Sequence, residues 1–335
     1  MGPGGQDGER RMSIPGRAQL LLVHGIGGLR NTEREKRDWL EALAHGARDA
    51  GHADSVSGIV QGWLAEIRFV NYSDLFAEPD EQGAAVQAQL DDGQTDFLAA
   101  LLHETTDELW SQAREHGDLR AMRVVGDARE QFMDGRRELQ GAAEPLRVIA
   151  RILTTLLQLP GLRSAGQWAS GWPLLGHLAQ VSRYLDRRVT APQSTTLNAR
   201  ITSRVLDAVD PRLPLVVVGH SLGSVVAYEA LHQLPQPARL FVTLGSPLAT
   251  AGVVLHRVRP HPARTPGSVE RWLNFWDRDD IVVCRPRIKD WMAPNSSGVL
   301  PLSRRVDSDG LWVHTATKYL RQPAVAGPIV EALKQ

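Results

Sequence analysis

The chain has almost no cysteine, no long hydrophobic run and no net charge. Its 335 residues include a single cysteine, Cys284, which excludes an internal disulfide framework and is compatible with a reducing compartment. No uninterrupted apolar stretch reaches the roughly 18 residues that a membrane-spanning helix needs. The 38 basic residues balance the 38 acidic ones, so the composition gives no general attraction to nucleic acid or to membranes. We therefore expect a cytoplasmic protein that does not bind nucleic acid.

Two further absences concern the first residues and the metal ligands. Residues 1–17 are rich in glycine, arginine and polar groups and lack the apolar core of a signal peptide, so we interpret them as a disordered arm. The histidines are scattered, and the lone cysteine forms no ligand cluster with them. We expect neither a metal ion nor an organic cofactor.

One short motif carries the strongest chemical signal, the Gly-x-Ser-x-Gly sequence of residues 219–223. The apolar run 214–218 before it is typical of a buried strand, and residues 224–231 after it have a helical pattern. In this context the serine lies on a sharp turn that exposes its hydroxyl, and the glycines remove side chains that would crowd it. We predict that Ser221 is a nucleophile. The alternative is a serine in an ordinary strand-to-helix turn.

A second glycine-rich turn follows the apolar strand over residues 19–23. Backbone N–H groups in such a turn can point at a developing negative charge, which is a large contribution in acyl transfer. We predict an oxyanion hole made by the N–H of Ile26 or Gly27 together with the N–H of Leu222. His24, just before the glycines, is expected to hold the turn by hydrogen bonds rather than to act in catalysis. The turn lacks the spacing of a dinucleotide-binding loop.

These two motifs resemble those of the α/β-hydrolase superfamily, particularly its lipase-like and serine-esterase branches. There a strand ending in His-Gly precedes a Gly-x-Ser-x-Gly nucleophile elbow. The resemblance implies an α/β protein with a three-layer α/β/α hydrolase fold, a mostly parallel sheet and a large helical lid. It also implies that the catalytic triad follows the chain in the order Ser, then Asp or Glu, then His.

The resemblance assigns the remaining two members of the triad. A strand predicted over residues 269–276 ends at a group of aspartates, of which Asp280 best matches the acid position of the family. Asp277 is the alternative acid, and either residue could be a solvated loop carboxylate. His314 is the one histidine beyond Asp280, so we predict it as the general base. Three other histidines lie between the nucleophile and the acid and would break the order: His232, His256 and His261.

The predicted core is interrupted by a long helical segment. Residues 18–73 hold the first strands, and residues 196–335 hold the nucleophile strand and the predicted triad. Thr32 begins a capping-box pattern that predicts the start of the first helix. Residues 74–195 have helical rather than alternating patterns and are too many for a plain loop. The resemblance implies that this insertion is a lid over the active site.

The insertion contains a broad apolar face that has two interpretations. It is either the packed core of the lid or a surface for acyl chains or lipid, which would permit peripheral membrane contact through the lid. On the second interpretation, four of its residues are candidate substrate-binding residues: Ile149, Ile152, Leu153 and Leu156.

The predicted function is that of a serine hydrolase that cleaves a carboxylic ester of a small molecule or lipid through an acyl-enzyme intermediate. One alternative keeps the triad and changes the reaction to that of a thioesterase, amidase or acyltransferase. The other is a non-catalytic protein of the same fold that uses the insertion to bind a partner. The sequence indicates no particular oligomeric state.

Overall fold

A computed structural model defines the arrangement of most of the chain. It describes residues 17–26, 31–76, 92–138, 144–159, 179–187, 194–277, 280, 282–283, 287–308 and 314–335. These residues form a three-layer α/β structure, in which helices flank both faces of a six-stranded sheet. All five strand pairings of the described sheet are parallel. The prediction of a three-layer α/β architecture is confirmed at this level.

The strand order places the ends of the first and third strands side by side. The strands are β1 (Ala18–Val23), β2 (Ala65–Val70), β3 (Leu215–His220), β4 (Ala238–Leu244), β5 (Trp272–Asp277) and β6 (Leu302–Val306), in the order β2-β1-β3-β4-β5-β6. From β1 the chain continues to β2 on one side of the sheet, and from β3 it continues to β4, β5 and β6 on the other. In open parallel sheets such a reversal leaves a crevice at the carboxyl ends of the strands, and ligands bind there.

Ten helices lie within the described residues. They are α1 (Thr32–Asp49), α2 (Val56–Val60), α3 (Asp92–His116), α4 (Leu119–Glu138), α5 (Glu144–Leu156), α6 (179–185), α7 (Leu197–Asp207), α8 (Leu222–Leu231), α9 (Ala316–Leu320) and α10 (Pro323–Lys334). Short 3₁₀ segments occur at Ala53–Ser55, Ser73–Phe76 and Ile288–Trp291, and Ala251–Leu255 forms a π-helical turn.

Successive side chains of a strand point to opposite faces of the sheet. In this sheet they belong to two separate hydrophobic clusters, one on each face. Leu20 and Val216 belong to the cluster that includes buried residues of α1, α9 and α10. Leu21 and Val217 belong to the other cluster, which includes residues of α7, α8 and the insertion helices α3, α4 and α5. Helices α3, α4 and α5 of the insertion therefore pack on the same side of the sheet as α8.

The first helix begins one residue earlier than the capping-box pattern predicts. Asn31, not Thr32, is the N-cap, and its side-chain oxygen accepts a hydrogen bond from the N–H of Arg34 at 3.0 Å. The Thr32 hydroxyl instead accepts from the Asn71 side-chain amide at 2.8 Å. This bond ties the start of α1 to the residue that follows β2.

The four candidate substrate-binding residues lie inside the protein. Ile149, Ile152, Leu153 and Leu156 are buried on α5 and belong to the same cluster as Val217 of β3. This location agrees with the interpretation of the apolar face as packed core. In this arrangement the four side chains offer no exposed surface to an acyl chain or a membrane. Within the described residues no helix is both long enough and apolar enough to cross a bilayer.

The packed-core interpretation predicts a large loss of stability when a buried side chain of α5 is shortened. Leu156 is 0% exposed and Leu119, at the start of α4, is 75% exposed. We expect Leu156→Ala to lower the free energy of unfolding by about 2–5 kcal/mol, because it removes buried methyl groups and leaves a cavity. Leu119→Ala should change it by less than about 0.5 kcal/mol. Urea denaturation of both variants measures the difference, and equal effects would contradict the packing of α5.

Candidate active site

The turn between β3 and α8 holds Ser221 in an uncommon backbone conformation. Its φ and ψ are 51° and −128°, and it is the one non-glycine residue with positive φ in the described part of the chain. Such a conformation costs of order 1–3 kcal/mol and persists where the surroundings enforce it. Here the Ser221 N–H donates to the carbonyl of Leu244 at 2.9 Å, which fixes the turn to the end of β4.

Two glycines of the motif are required by close backbone contacts. A Cβ on Gly219 would lie 2.7 Å from the carbonyl oxygen of Gly223. A Cβ on Gly223 would lie 2.2 Å from the carbonyl oxygen of His24 and 2.3 Å from that of Val23. Because these neighbours are backbone atoms, they have little freedom to move aside. The glycines therefore let α8 begin directly against the end of β1.

The structure brings the three predicted triad residues together. His314 Nε2 lies 2.9 Å from Ser221 Oγ, and His314 Nδ1 lies 2.7 Å from Asp280 Oδ2. The Asp280 side chain is fully buried and that of His314 is 13% exposed. Asp277, the alternative acid, accepts a hydrogen bond from the Ser308 N–H at 2.6 Å. The contact with the histidine is thus made by Asp280, while Asp277 holds the segment after β6.

Tyr319 is a member of this site that the sequence reasoning missed. Its hydroxyl donates to Asp280 Oδ2 at 2.7 Å and accepts from the Asp277 N–H at 3.0 Å. The other oxygen of Asp280 accepts from the Val282 N–H at 3.1 Å. Burial, reinforced by the charge of Asp280, raises the pKa of Tyr319 well above its usual value. The phenol therefore stays protonated and remains a donor to the carboxylate.

Tyr319 had one recognisable signal in the sequence. It lies five residues after His314 on a short helix whose other inward residues, Ala316 and Leu320, are apolar. A buried tyrosine needs a partner for its hydroxyl. That requirement indicates a polar contact, although it does not identify Asp280.

Two of the three residues predicted to form the oxyanion hole, Ile26 and Leu222, lie within the described residues. Leu222 is the first residue of α8, where backbone N–H groups lack intrahelical acceptors. A Cβ on Gly25 would lie 2.8 Å from the Cβ of Ser221, so the turn after β1 approaches the serine closely. Ile26 follows this close contact and is partly buried. Gly27 lies outside the described residues.

His24 has the structural environment that the sequence predicts for it. Its Nε2 accepts from the Tyr72 N–H at 3.1 Å, so this nitrogen carries no proton. The proton is therefore on Nδ1, which lies 2.5 Å from the carbonyl oxygen of Gly25. The imidazole also stacks on the Tyr72 ring, with centroids 4.1 Å apart. These contacts hold the glycine-rich turn against Tyr72, the second residue after β2.

The histidines excluded by chain order have other neighbours. His232 Nε2 lies 3.2 Å from the carbonyl oxygen of Arg264, and the rings of His256 and His261 lie 5.7 Å apart. In the described part of the chain, no group of three or more His, Cys, Asp or Glu side chains could hold a metal ion. Cys284 lies outside the described residues.

Comparisons of the chain with protein-family models, with curated proteins and with solved structures give no match. Conclusions about activity therefore depend on the geometry of the site and on its chemistry.

The positive φ of Ser221 predicts that a glycine at this position gives a more stable protein than an alanine, which reverses the usual order. Alanine is normally more stabilising than glycine, which is more flexible in the unfolded chain. At this positive φ, however, Ser221→Gly releases the strain and Ser221→Ala retains it. We expect the glycine variant to be more stable than the alanine variant by about 1 kcal/mol in urea denaturation. Both variants lose the hydroxyl, so their difference isolates the backbone effect, and the usual order would show that the turn is unstrained.

Proposed function

We propose that this protein is a serine hydrolase of the α/β-hydrolase type, related to the lipase-like esterases, that cleaves a carboxylic ester. The observation that carries the proposal is the continuous hydrogen-bonded series from Ser221 through His314 to Asp280. A hydroxyl, an imidazole and a buried carboxylate in this series are the elements of nucleophilic acyl transfer. The strained turn that carries Ser221 supports the same conclusion, because such strain is concentrated at functional sites.

In the first half of the proposed reaction, the enzyme becomes acylated. Ser221 Oγ attacks the ester carbonyl carbon while His314 Nε2 takes the hydroxyl proton. Asp280 keeps the imidazole proton on Nδ1 and stabilises the imidazolium that forms. The C–O bond to the leaving group then breaks, and His314 returns its proton to the alcohol oxygen.

In the second half, water replaces the alcohol. His314 takes a proton from the water as its oxygen attacks the acyl carbon, and the bond from that carbon to Ser221 Oγ breaks. The proton returns to the serine and the carboxylic acid leaves. In both halves we assign the stabilisation of the oxyanion to the N–H of Leu222 together with that of Ile26 or Gly27.

We also propose that the insertion over residues 74–195 controls access to the serine. Ser221 is 1% exposed, and the proposal therefore includes a movement that admits the ester to its hydroxyl. The insertion helices pack on the same side of the sheet as α8, whose first turn follows Ser221. Movement of such a segment commonly gates an enclosed active site.

The proposal predicts that a fluorophosphonate probe labels the protein at Ser221. Ser221→Ala should abolish labelling and lower ester turnover by roughly 10⁴-fold or more, because the nucleophile is lost. Intact-protein mass spectrometry after exposure to the probe gives the readout. Ser203→Ala, which removes an exposed hydroxyl on α7, should be labelled like the native chain. Labelling that survives in Ser221→Ala would disprove the assignment.

The contact of Tyr319 with Asp280 predicts a loss of ester turnover when the tyrosine hydroxyl is removed. Tyr319→Phe removes one donor from the carboxylate, and a hydrogen bond to a charged group contributes about 1.5–3 kcal/mol. We expect kcat/KM to fall roughly 10- to 100-fold, mostly through kcat, because the carboxylate positions the general base and does not bind the substrate.

Tyr228→Phe is a matched control for this experiment. It removes the same atom from another buried tyrosine, whose hydroxyl donates to the carbonyl of Arg264 at 3.0 Å. A similar fall in kcat for both variants would show that Tyr319 supports the fold rather than Asp280.

A further inference from the structure

A cavity of about 430 Å³ lies between helices of the insertion and the segment that follows the π-helical turn. Its walls include Phe97 of α3, Asp186 and Arg187 just after α6, and the exposed residues Arg257 and Arg259 of that segment. His256 also lines it. The volume is in the range of small-molecule binding sites.

Arg257 and Arg259 bring positive charge to this cavity without a matching carboxylate. Arg257 Nη1 donates to the carbonyl of Val253 at 2.8 Å, and Arg259 Nη1 lies 3.3 Å from the carbonyl of Val258. Within the described residues, neither guanidinium forms an ion pair with an acidic side chain. Their charges are therefore available to a bound anion.

The nearest buried carboxylate, Glu229 of α8, is already saturated with donors. It accepts from the guanidinium of Arg187, from the Tyr184 hydroxyl at 2.8 Å and from the Asn198 amide at 2.6 Å. It also accepts from the backbone N–H of Arg259 at 2.7 Å. Glu229 balances the charge of Arg187, and its acceptor positions are occupied.

The same network fixes the backbone that carries the two unpaired arginines. Arg187 Nη2 donates to the carbonyl of Arg257 at 3.0 Å, and Glu229 holds the N–H of Arg259. The Arg257 guanidinium also lies over the Phe97 ring, 5.2 Å from its centroid, where the ring face attracts it. The cationic wall is therefore organised before any ligand arrives, which lowers the entropic cost of binding.

We propose that this cavity binds a small molecule that carries a phosphate group. Guanidinium groups match the oxygens of phosphate through paired N–H donors, and Arg257, Arg259 and His256 all line this cavity. If Arg187 is balanced by Glu229 and Asp186 offsets one arginine, the wall still has an excess positive charge. A doubly charged phosphate is the anion that gains most from this arrangement.

The phosphate site is distinct from the serine site. Glu229 lies eight residues after Ser221 on α8, which corresponds to about 12 Å along the helix axis. The cavity walls come from α3, from residues 182–187 and from residues 256–259 of the core. A phosphate bound to Arg257 and Arg259 would therefore not contact the triad.

Calorimetric titration with inorganic phosphate and with glycerol 3-phosphate tests the proposal. We expect saturable binding to the full chain and a rise of several degrees in its melting temperature. Potassium chloride and potassium acetate at equal ionic strength should give neither effect, which separates binding from general screening. Ser221→Ala should bind phosphate like the native chain, so this experiment does not depend on the proposed hydrolysis.

Substitutions assign the binding to the cavity. Arg259→Gln should weaken phosphate affinity at least tenfold, and Arg257→Gln provides a second variant that alters the same wall. Circular dichroism melts establish that each variant is folded. Arg48→Gln is the matched control, because it removes an exposed arginine from α1 on the opposite face of the sheet, and it should leave affinity unchanged.

Vesicles distinguish a free phosphate compound from a lipid headgroup. Binding to vesicles of phosphatidic acid, with none to phosphatidylcholine, would support the same phosphate chemistry on a lipid. The proposal is overturned if the native chain binds none of the three phosphate probes. It is also overturned if Arg48→Gln weakens binding as much as Arg259→Gln does.

Discussion

The arrangement of the candidate site depends on how closely the start of α8 approaches the end of β1. No side chain fits between Gly223 and the carbonyl oxygens of Val23 and His24. The helix must therefore begin immediately after β3, and Ser221 takes the positive φ that this sharp change of direction requires. The same approach places the serine beside the glycine-rich turn after β1. The position of the proposed nucleophile and the position of the proposed oxyanion donors thus have one physical cause.

The carboxyl edge of the parallel sheet brings the other groups to the serine. Ser221 follows β3, Gly245 follows β4, and Asp280 lies shortly after β5. Gly245 has a φ of 53°, and a Cβ there would lie 2.7 Å from Asp280 Oδ2 and 3.1 Å from His314 Nδ1. A side chain at this position would intrude on the hydrogen bond between the acid and the histidine. Glycine is thus needed after β4 to leave room for a contact between residues that are 34 positions apart.

Local patterns in the sequence predicted the parts of the structure that depend on neighbouring residues. The apolar run before Ser221 and the helical pattern after it predicted β3, the turn and α8. The pairing of Asp280 with His314 is not local, and only the chain order implied by the family resemblance selected these residues. The contact of Tyr319 with Asp280 was missed for the same reason. Strand β6 was missed because Arg304 and Arg305 occupy an edge strand that is mostly exposed, so its sequence lacks a buried pattern.

If the insertion controls access to Ser221 as proposed, the network around Glu229 limits how it can open. Separating Arg187 from Glu229 would leave a carboxylate that is 3% exposed without its charged partner, and such a loss is strongly destabilising. An opening that keeps this pair intact therefore costs less free energy. In such an opening residues 184–187 would stay against α8 while α3, α4 and α5 move. The proposed phosphate ligands Arg257, Arg259 and His256 lie beside this fixed part, and the backbone of the two arginines is held by Arg187 and Glu229. Under the two proposals, the backbone of the phosphate site would therefore stay in place while the insertion opens.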